Sequence, residues 1–281
     1  MARRRMTQLA GALSSFAVVA VIAIALPAHA ARPVEGGSSP PDVNMERLLM
    51  AAQLDGYRPG NRTTAGAVKS VKRVQRALRV AVDGNFGSQT MLAYSQWQQR
   101  LSIDANGLPD ETSLTRLGEG RFEVKRIVRP GSQVDVGEVG DEQEINRRTN
   151  RMKIAAARKL RRDCKFSVTQ GSYSTDVGES AGTHAGGGAL DISVKRGCGE
   201  RHRSAVRALR QVGFAAWHRP YIRDVWEEHI HAIAISDPKL SGPAQEQVSD
   251  YYRGRNGLAD DGLDEGPDVT KRTWEQYKRS R

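Results

Sequence analysis

The sequence predicts an α+β protein in which a small all-helical domain precedes a mixed domain built on an antiparallel sheet. Three observations support this class. Apolar residues recur at three- and four-residue steps early in the chain, they alternate with polar residues in four later segments, and an acidic, glycine-containing stretch separates the two patterns. The chain has 281 residues, a length that suits two small domains better than one.

The N-terminus has the pattern of a secretory signal peptide over residues 1–30. Three arginines at positions 3–5 precede an uninterrupted apolar run over 16–26, and small residues occupy positions 28 and 30. This order is typical of an exported protein cleaved after Ala30. A retained membrane anchor is the alternative, but the run is too short to cross about 30 Å of hydrocarbon as a helix. We therefore expect a secreted, extracytoplasmic or wall-associated protein without a stable membrane span after cleavage.

The charge of the chain points to an anionic partner. Its formal net charge is +11, and a basic exported protein usually meets an anionic surface such as a bacterial wall with its acidic polymers. Nucleic acid is not expected, because the basic residues are spread along helical faces without an aromatic stacking platform. We expect a monomer.

The chain has two cysteines, Cys164 and Cys198. In an exported protein an isolated pair that flanks one segment most simply forms a disulfide. Two buried thiols are the alternative. A zinc site built mainly from cysteine is excluded by their number.

The first folded domain is predicted to follow a linker over residues 31–60, whose first part is rich in Pro, Gly and Ser. From Ala67 the pattern becomes helical, with apolar residues at Val68, Val71, Val74 and Leu78. A turn is predicted at Asp83–Gly84, and Thr90 stands where the N-cap of the next helix is expected.

A shorter copy of this pattern follows at once. Asn106–Gly107 corresponds to Asp83–Gly84, and Thr112 corresponds to Thr90. Residues 71–118 keep the motifs Gln-x-x-Leu and Val-Asp-Gly-x-Phe-Gly, and in these motifs they resemble the three-helix peptidoglycan-binding domain. The resemblance implies a domain over residues 61–119 that binds peptidoglycan. A small helical bundle without a ligand is the alternative.

The second domain is predicted over residues 145–240, after an acidic linker over 120–144. A basic helix opens it, and four strands are predicted in the segments CKFSVTQ, GGALDISVK, GFAAWHR and HIHAIAIS, with a helix over 200–212 between the second and third. Residues 241–281 are predicted to form an extended or partly helical tail.

Strand periodicity places polar residues on one face of the predicted sheet. If ALDISV is a strand, Leu190 and Ile192 point to the core and Asp191 points to the opposite, accessible face. By the same period of two, His229 and His231 share one face of their strand. Two imidazoles and a carboxylate are thus available to one cleft.

Catalytic zinc requires three protein ligands of N and O type and leaves a fourth position for water. His184, Asp191 and His231 would supply this set. Hydrogen-bonded structural histidines are the alternative for either motif taken alone. His202 and His218 have no motif around them and are interpreted as surface or structural residues.

The segments SAGTHAGGGALDIS and EHIHAIAI resemble the zinc metallopeptidases that include D-Ala-D-Ala carboxypeptidases, lysostaphin-type endopeptidases and the hedgehog domain. The resemblance implies Zn²⁺ on His184, Asp191 and His231. It also implies that the general base is Glu228 or His229.

The glycine run over 186–188 is expected to let a peptide substrate approach the backbone and to allow the sharp return that brings His184 and Asp191 together. Gly187 is therefore predicted to contact substrate. Tyr173 stands where carboxypeptidases of this kind carry an arginine for the terminal carboxylate, and we predict that it binds substrate.

These observations predict a secreted zinc metallopeptidase that acts on peptidoglycan stem peptides as a D,D-carboxypeptidase or an endopeptidase. The N-terminal domain would target it to the wall. A peptidoglycan-binding protein whose zinc domain has no turnover is the alternative, because it would carry the same ligand motifs.

Overall fold

The computed structural model describes residues 40–54, 66–138, 141–175 and 181–281. The predicted signal peptide lies outside the described residues. The described chain mixes helices with antiparallel sheet, as predicted for an α+β protein. Within it, no helix is both long and apolar enough to cross a bilayer.

Helices and strands alternate irregularly along the chain. The helices are α1 (Met45–Gln53), α2 (Val68–Leu78), α3 (Ser88–Arg100), α4 (Glu111–Gly118), α5 (Arg147–Leu160), α6 (His202–Val212), α7 (Gly242–Arg253) and α8 (Trp274–Arg279). The strands are β1 (Asp42–Asn44), β2 (Glu123–Lys125), β3 (Gln133–Asp135), β4 (Glu144–Asn146), β5 (Val168–Gln170), β6 (Ala189–Ser193), β7 (Phe214–Arg219) and β8 (His229–Ala234).

The main sheet has four antiparallel strands in the order β5-β6-β8-β7. Its two faces contribute to different cores. Leu190, Ile192 and Ile230 belong to a core that also contains residues of α5 and α6. Ala189 and Ile233 belong to the core on the other face, which continues into α1, α2 and α7. Strand alternation therefore turns Leu190 and Ile192 inward, as predicted.

The three helices α2, α3 and α4 carry the predicted repeat, and one glutamine organises each copy. Gln75 Nε2 donates to Asp83 Oδ1 at 2.7 Å and Gln75 Oε1 accepts from Gly84 N at 2.9 Å. In the second copy Gln98 Oε1 accepts from Gly107 N, also at 2.9 Å. Both glycines have positive φ, a backbone conformation that favours glycine. The correspondence between the two turns is thus confirmed at the level of single hydrogen bonds.

The start of α3 differs from the prediction. The helix begins at Ser88 with Gly87 as its N-cap, so Thr90 lies inside the first turn instead of capping it. Its hydroxyl accepts from Gln75 Nε2 at 3.0 Å, a contact that ties the turn to α2. In the second copy Asp110 caps α4 and accepts from Gln98 Nε2 at 3.1 Å. Asp110, and not Thr112, therefore takes the place of Thr90.

Part of the segment predicted as a linker over 31–60 is folded. Residues 42–44 form β1, which pairs with β2, and residues 45–53 form α1. Met45, Leu48 and Leu49 are fully buried. The prediction extended the polar character of residues 31–44 to the residues that follow, although these are apolar enough to pack against the core. Residues 55–60 lie outside the described part of the chain.

Every described residue belongs to one compact unit, residues 38–281. The predicted boundary between 61–119 and 145–240 therefore does not coincide with a gap in packing. Asn106 Nδ2 donates to the carbonyl of Pro238 at 2.9 Å, and β2 and β3 occupy the predicted 120–144 linker. Independent folding of the two predicted domains stays a prediction.

The predicted tail over 241–281 contributes to the core. Ser241 caps α7, and Val248 and Tyr251 on this helix are buried. Tyr277 on α8 is buried against α5 and α6. The disulfide between Cys164 and Cys198, as predicted, joins the segment before β5 to the segment after β6.

Candidate metal centre

The register of the main sheet places six side chains in two rows on one face. Asp191 of β6 lies opposite His231 of β8, and His231 lies opposite Trp217 of β7. Two residues further along the strands, the second row is Ser193, His229 and Arg219. Because side chains alternate along a strand, both rows project from the same face. The prediction that His229 and His231 share a face is confirmed.

His184 reaches this face from a 3₁₀ turn over Thr183–Ala185 that precedes β6. Its Nε2 lies 3.4 Å from His231 Nδ1 and 3.4 Å from Asp191 Oδ1. His231 Nδ1 lies 2.7 Å from Asp191 Oδ1. All three side chains are buried, so the structure brings together the three residues that the sequence predicted as metal ligands.

The outer nitrogens of both histidines donate hydrogen bonds away from the centre. His184 Nδ1 donates to the carbonyl of Gly171 at 2.6 Å, and a carbonyl only accepts. His231 Nε2 donates to Gln247 Oε1 at 2.9 Å. In neutral imidazoles these bonds leave the lone pairs of His184 Nε2 and His231 Nδ1 directed at each other and at the carboxylate. Such outer partners orient histidines that bind metals.

Two of the three separations between the donor atoms match those of a metal site. Ligands about 2.0–2.1 Å from zinc in a tetrahedral arrangement lie about 3.3 Å from one another. The three observed separations are 3.4, 3.4 and 2.7 Å. The two separations of 3.4 Å match zinc ligands, and the contact of 2.7 Å has the length of a hydrogen bond, which a bound metal would replace. The residues present therefore fit a divalent metal with nitrogen and oxygen ligands.

The electrostatics of the site favour the metal-binding protonation states of Asp191 and His231, whereas at His184 burial is outweighed by the hydrogen bond and charge of Asp191, which raise the pKa of the imidazole. Burial raises the pKa of the Asp191 carboxyl, but the imidazoles of His231 and His184 outweigh burial and hold it far below its usual range. Burial lowers the pKa of the His231 imidazole to about 4. At neutral pH the carboxylate is ionised and His231 is neutral, as metal ligation requires.

The candidate metal centre opens into a cleft of about 590 Å³. Besides the three ligand residues, the side chains that define it are Thr169, Gln170, Ser193, Lys195, Arg196, Arg219, Trp226, Glu228, His229 and Gln247. The cleft is open to solvent on one side, and it is large enough for a short peptide.

The two candidate bases differ in position. His229 Nε2 lies 3.7 Å from Asp191 Oδ2, beside the three candidate ligands, and His229 Nδ1 donates to the carbonyl of Glu227 at 2.7 Å. Glu228 also lines the cleft, but its Oε1 accepts from His218 Nε2 at 2.7 Å. His218 alternates with Trp217 and projects from the other face of the sheet. Of the two candidate bases, His229 is therefore the one that lies next to the three candidate ligands.

A second group of potential ligands, formed by His202, His218 and Glu228, is less suited to a metal. The rings of His202 and His218 stack with centroids 4.0 Å apart and an interplanar angle of 11°. A metal binds in the plane of an imidazole, so two parallel stacked rings do not aim their lone pairs at one point. This arrangement is consistent with the structural role predicted for both histidines.

Tyr173 and Gly187 lie together but outside the cleft. The Tyr173 hydroxyl donates to Asn146 Oδ1 at 2.5 Å, and Gly187 N donates to the carbonyl of Lys239 at 2.6 Å. A Cβ at position 187 would stand 2.8 Å from the Tyr173 hydroxyl. The glycine run thus allows close packing against residues 237–241. The structure gives these two residues a packing role, and their predicted contact with substrate stays a prediction.

Sequence reasoning missed two residues of the site, Gln247 and Arg219. Gln247 comes from α7, which was predicted as part of a tail, and a lone glutamine on a helix carries no motif. Arg219 is 5 % exposed and lines the cleft in the row of His229. The sequence signal for Arg219 was its spacing of two from Trp217 in GFAAWHR, which places both side chains on one face of the strand.

The chain matches none of the protein-family models, curated proteins or solved structures with which it was compared. The buried group of His184, Asp191 and His231, positioned to hold a metal ion, therefore stands on its own geometry.

Proposed function

We propose that this protein is a zinc-dependent peptidase that cleaves peptidoglycan stem peptides, as a D,D-carboxypeptidase or an endopeptidase. One observation carries the proposal. Two imidazoles and a carboxylate converge on a point at the floor of an open cleft, and a third imidazole, His229, stands beside them. This set matches the requirement for three protein ligands, an open position and a group that handles protons.

His184, Asp191 and His231 would hold the metal. A zinc ion bound by such a set lowers the pKa of water towards about 7 and polarises a carbonyl oxygen. The chain supplies a preformed donor set for it, since Gly171 and Gln247 orient both imidazoles without help from the ion. Little side-chain reorganisation is needed on binding.

His229 is the proposed general base. Its Nδ1–H is committed to the carbonyl of Glu227, so in the neutral ring Nε2 carries the lone pair and faces Asp191. From there it takes a proton from the attacking water and returns it to the leaving amine as the peptide bond breaks. In its protonated form it also donates to the oxyanion that develops on the scissile carbonyl.

The remainder of the chain supports a wall substrate. The turn between α2 and α3, together with the adjoining helix ends, forms a groove at the first repeat, lined by Asp83, Asn85 and Thr90 among others. The second repeat is turned towards the sheet domain through Asn106. The disulfide is compatible with an extracytoplasmic location. We propose peptidoglycan as the partner and the cell wall as the site of action.

Turnover separates this proposal from a wall-binding protein with a silent zinc domain. Purified zinc-loaded protein is incubated with muropeptides, some with a free D-Ala end and some cross-linked, and the products are analysed by mass spectrometry. We expect either the loss of D-Ala or the separation of cross-linked dimers, and neither with His231→Ala. If the protein holds zinc and shortens no muropeptide, the silent wall-binding protein replaces the peptidase.

A further inference from the structure

We propose that Arg219 binds the C-terminal carboxylate of the peptide substrate, which makes the enzyme a carboxypeptidase in preference to an endopeptidase. This inference rests on the proposed function and selects between its two forms. It assigns the substrate anchor to β7, on the face of the sheet that carries the metal ligands.

The placement of Arg219 follows from the register of the sheet. It lies opposite His229, and its diagonal neighbour on β8 is the metal ligand residue His231. Diagonal neighbours in an antiparallel pair are about 7–8 Å apart. One residue beyond a scissile carbonyl, the chain advances by about 3.8 Å, and a long arginine side chain covers the remaining distance. A carboxylate that ends the residue after the cut bond therefore lies within reach of this guanidinium.

The guanidinium has spare hydrogen-bonding capacity although it is buried. Arg219 Nη1 donates to the carbonyl of Asn256 at 2.8 Å, and its Cζ lies 5.1 Å from the centroid of the Trp217 ring. Its Nη2 is buried and donates to no acceptor in the described part of the chain. A buried, unpaired donor on a cation is costly in free energy, and a bidentate carboxylate is the partner that suits it best.

The surrounding charges leave this cation under-compensated. Burial lowers the pKa of the Arg219 guanidinium to about 10, and the carboxylates of Asp191, Asp260 and Asp264 offset only part of that effect. The carboxylate of Asp191 contacts the imidazoles of His231 and His184 and would bind a metal, so it compensates the charge of Arg219 only in part. An anionic ligand in the cleft would supply the missing compensation.

The cations at the rim of the cleft already have partners. Lys195 pairs with Glu227, and Arg196 pairs with Glu138, in both cases with exposed side chains. Of the three cations that line the cleft, Arg219 is therefore the one that is buried and has an unpaired donor for a carboxylate.

Binding of a matched pair of peptides tests the assignment. The probes are N-acetyl-L-Lys-D-Ala-D-Ala and its C-terminal amide, titrated by calorimetry into protein stripped of metal, so that neither peptide is hydrolysed. We expect the wild type to bind the free acid about 10- to 100-fold more tightly than the amide, the range expected for a hydrogen bond to a charged group. Arg219→Gln should bind both peptides equally, and Arg219→Lys should recover part of the preference.

The matched control is Arg207→Gln, which removes one positive charge from the exposed side of α6 and should keep the wild-type preference. Equal affinity of the wild type for acid and amide would overturn the assignment, as would a preference that survives in Arg219→Gln. If Arg219→Gln does not fold, the affinities of the wild type and of Arg219→Lys for the two peptides still test the assignment.

Turnover with zinc separates this inference from the proposed function. Hydrolysis of the acid and the amide with equal kcat/KM would contradict the role of Arg219 but support the peptidase activity. A binding preference that depends on Arg219, without hydrolysis of either peptide, would keep the anchor and remove the peptidase.

Discussion

Gln247 of α7 accepts a hydrogen bond from Nε2 of His231 at 2.9 Å, and this contact fixes the ring so that Nδ1 faces Asp191. Removal of the amide frees the imidazole to rotate and to change tautomer. We expect Gln247→Leu to weaken zinc binding about 10- to 100-fold, as for other outer partners of metal-binding histidines. Competition with a chromogenic chelator measures the effect.

A neighbouring position provides the control for Gln247. Glu246→Gln changes an exposed side chain on the same helix and should leave zinc affinity as in the wild type. Gln247→Glu keeps an acceptor for His231 and should bind zinc at least as well as the wild type. An unchanged affinity in Gln247→Leu would show that the ring is held by other contacts.

The ligand set itself predicts a simple stoichiometry. The wild type should hold about one zinc per chain, and His184→Ala, Asp191→Ala and His231→Ala should hold little, because two remaining donors are too few for a stable site. Metal analysis after dialysis gives the numbers. His202→Ala should keep its zinc, and a loss there would place the metal at the second histidine group.

The positions of His229 and Glu228 predict different effects on turnover. His229→Ala should keep zinc and lower kcat about 10²- to 10⁴-fold, the usual contribution of a general base. Glu228→Gln should keep zinc and lower kcat by less than about tenfold, because the carboxylate of Glu228 is hydrogen-bonded to His218. The same muropeptide assay measures both. The reverse order of effects would assign the base to Glu228.

Periodicity and spacing were sufficient to predict that Asp191 and His231 belong to one buried group positioned to hold a metal ion. Asp191 and His231 follow from the alternation of strand residues, which depends only on local backbone geometry. Their adjacency across β6 and β8 required the two motifs to be taken together. The turn at Asp83–Gly84 was equally local, because positive φ there favours glycine.

The parts that the sequence did not reveal depend on long-range packing. Gln247 and Arg219 are single polar residues whose role appears only when α7 and β7 meet beside His231. The packing of Gly187 against Lys239 likewise joins segments far apart in the chain. Local sequence patterns carry no information about such contacts.

The disulfide predicts a measurable loss of stability on reduction. It closes a loop between residues 34 positions apart, and the chain-entropy model gives a contribution of about 3 to 4 kcal/mol for a loop of this size. We expect the free energy of unfolding of the Cys164→Ser, Cys198→Ser double variant, measured by urea denaturation, to be lower than that of the wild type by this amount. Intact mass of the wild type under non-reducing conditions should show the loss of two hydrogens. Two free thiols would contradict the bond.

Lys153 on α5 predicts an alkaline gain in stability. Burial lowers the pKa of its ammonium group from 10.5 to about 8. Between about pH 8 and pH 10.5 the unfolded chain therefore binds more protons than the folded chain at this position, so the free energy of unfolding rises with pH across that window. Below about pH 8 both states are protonated, and the full penalty of the buried charge is present.

Replacement of Lys153 by methionine keeps the apolar stem and removes the charge. Lys153→Met should raise the free energy of unfolding at pH 7 by about 3 kcal/mol at most, which is the pKa difference expressed as energy, and the rise between pH 8 and pH 10.5 should flatten. Urea unfolding at pH 7 and pH 10 measures both effects. Lys165→Met, at an exposed position, is the control and should change neither. If Lys153→Met destabilises the protein at pH 7, the ammonium group has a compensating partner and burial does not dominate its energetics.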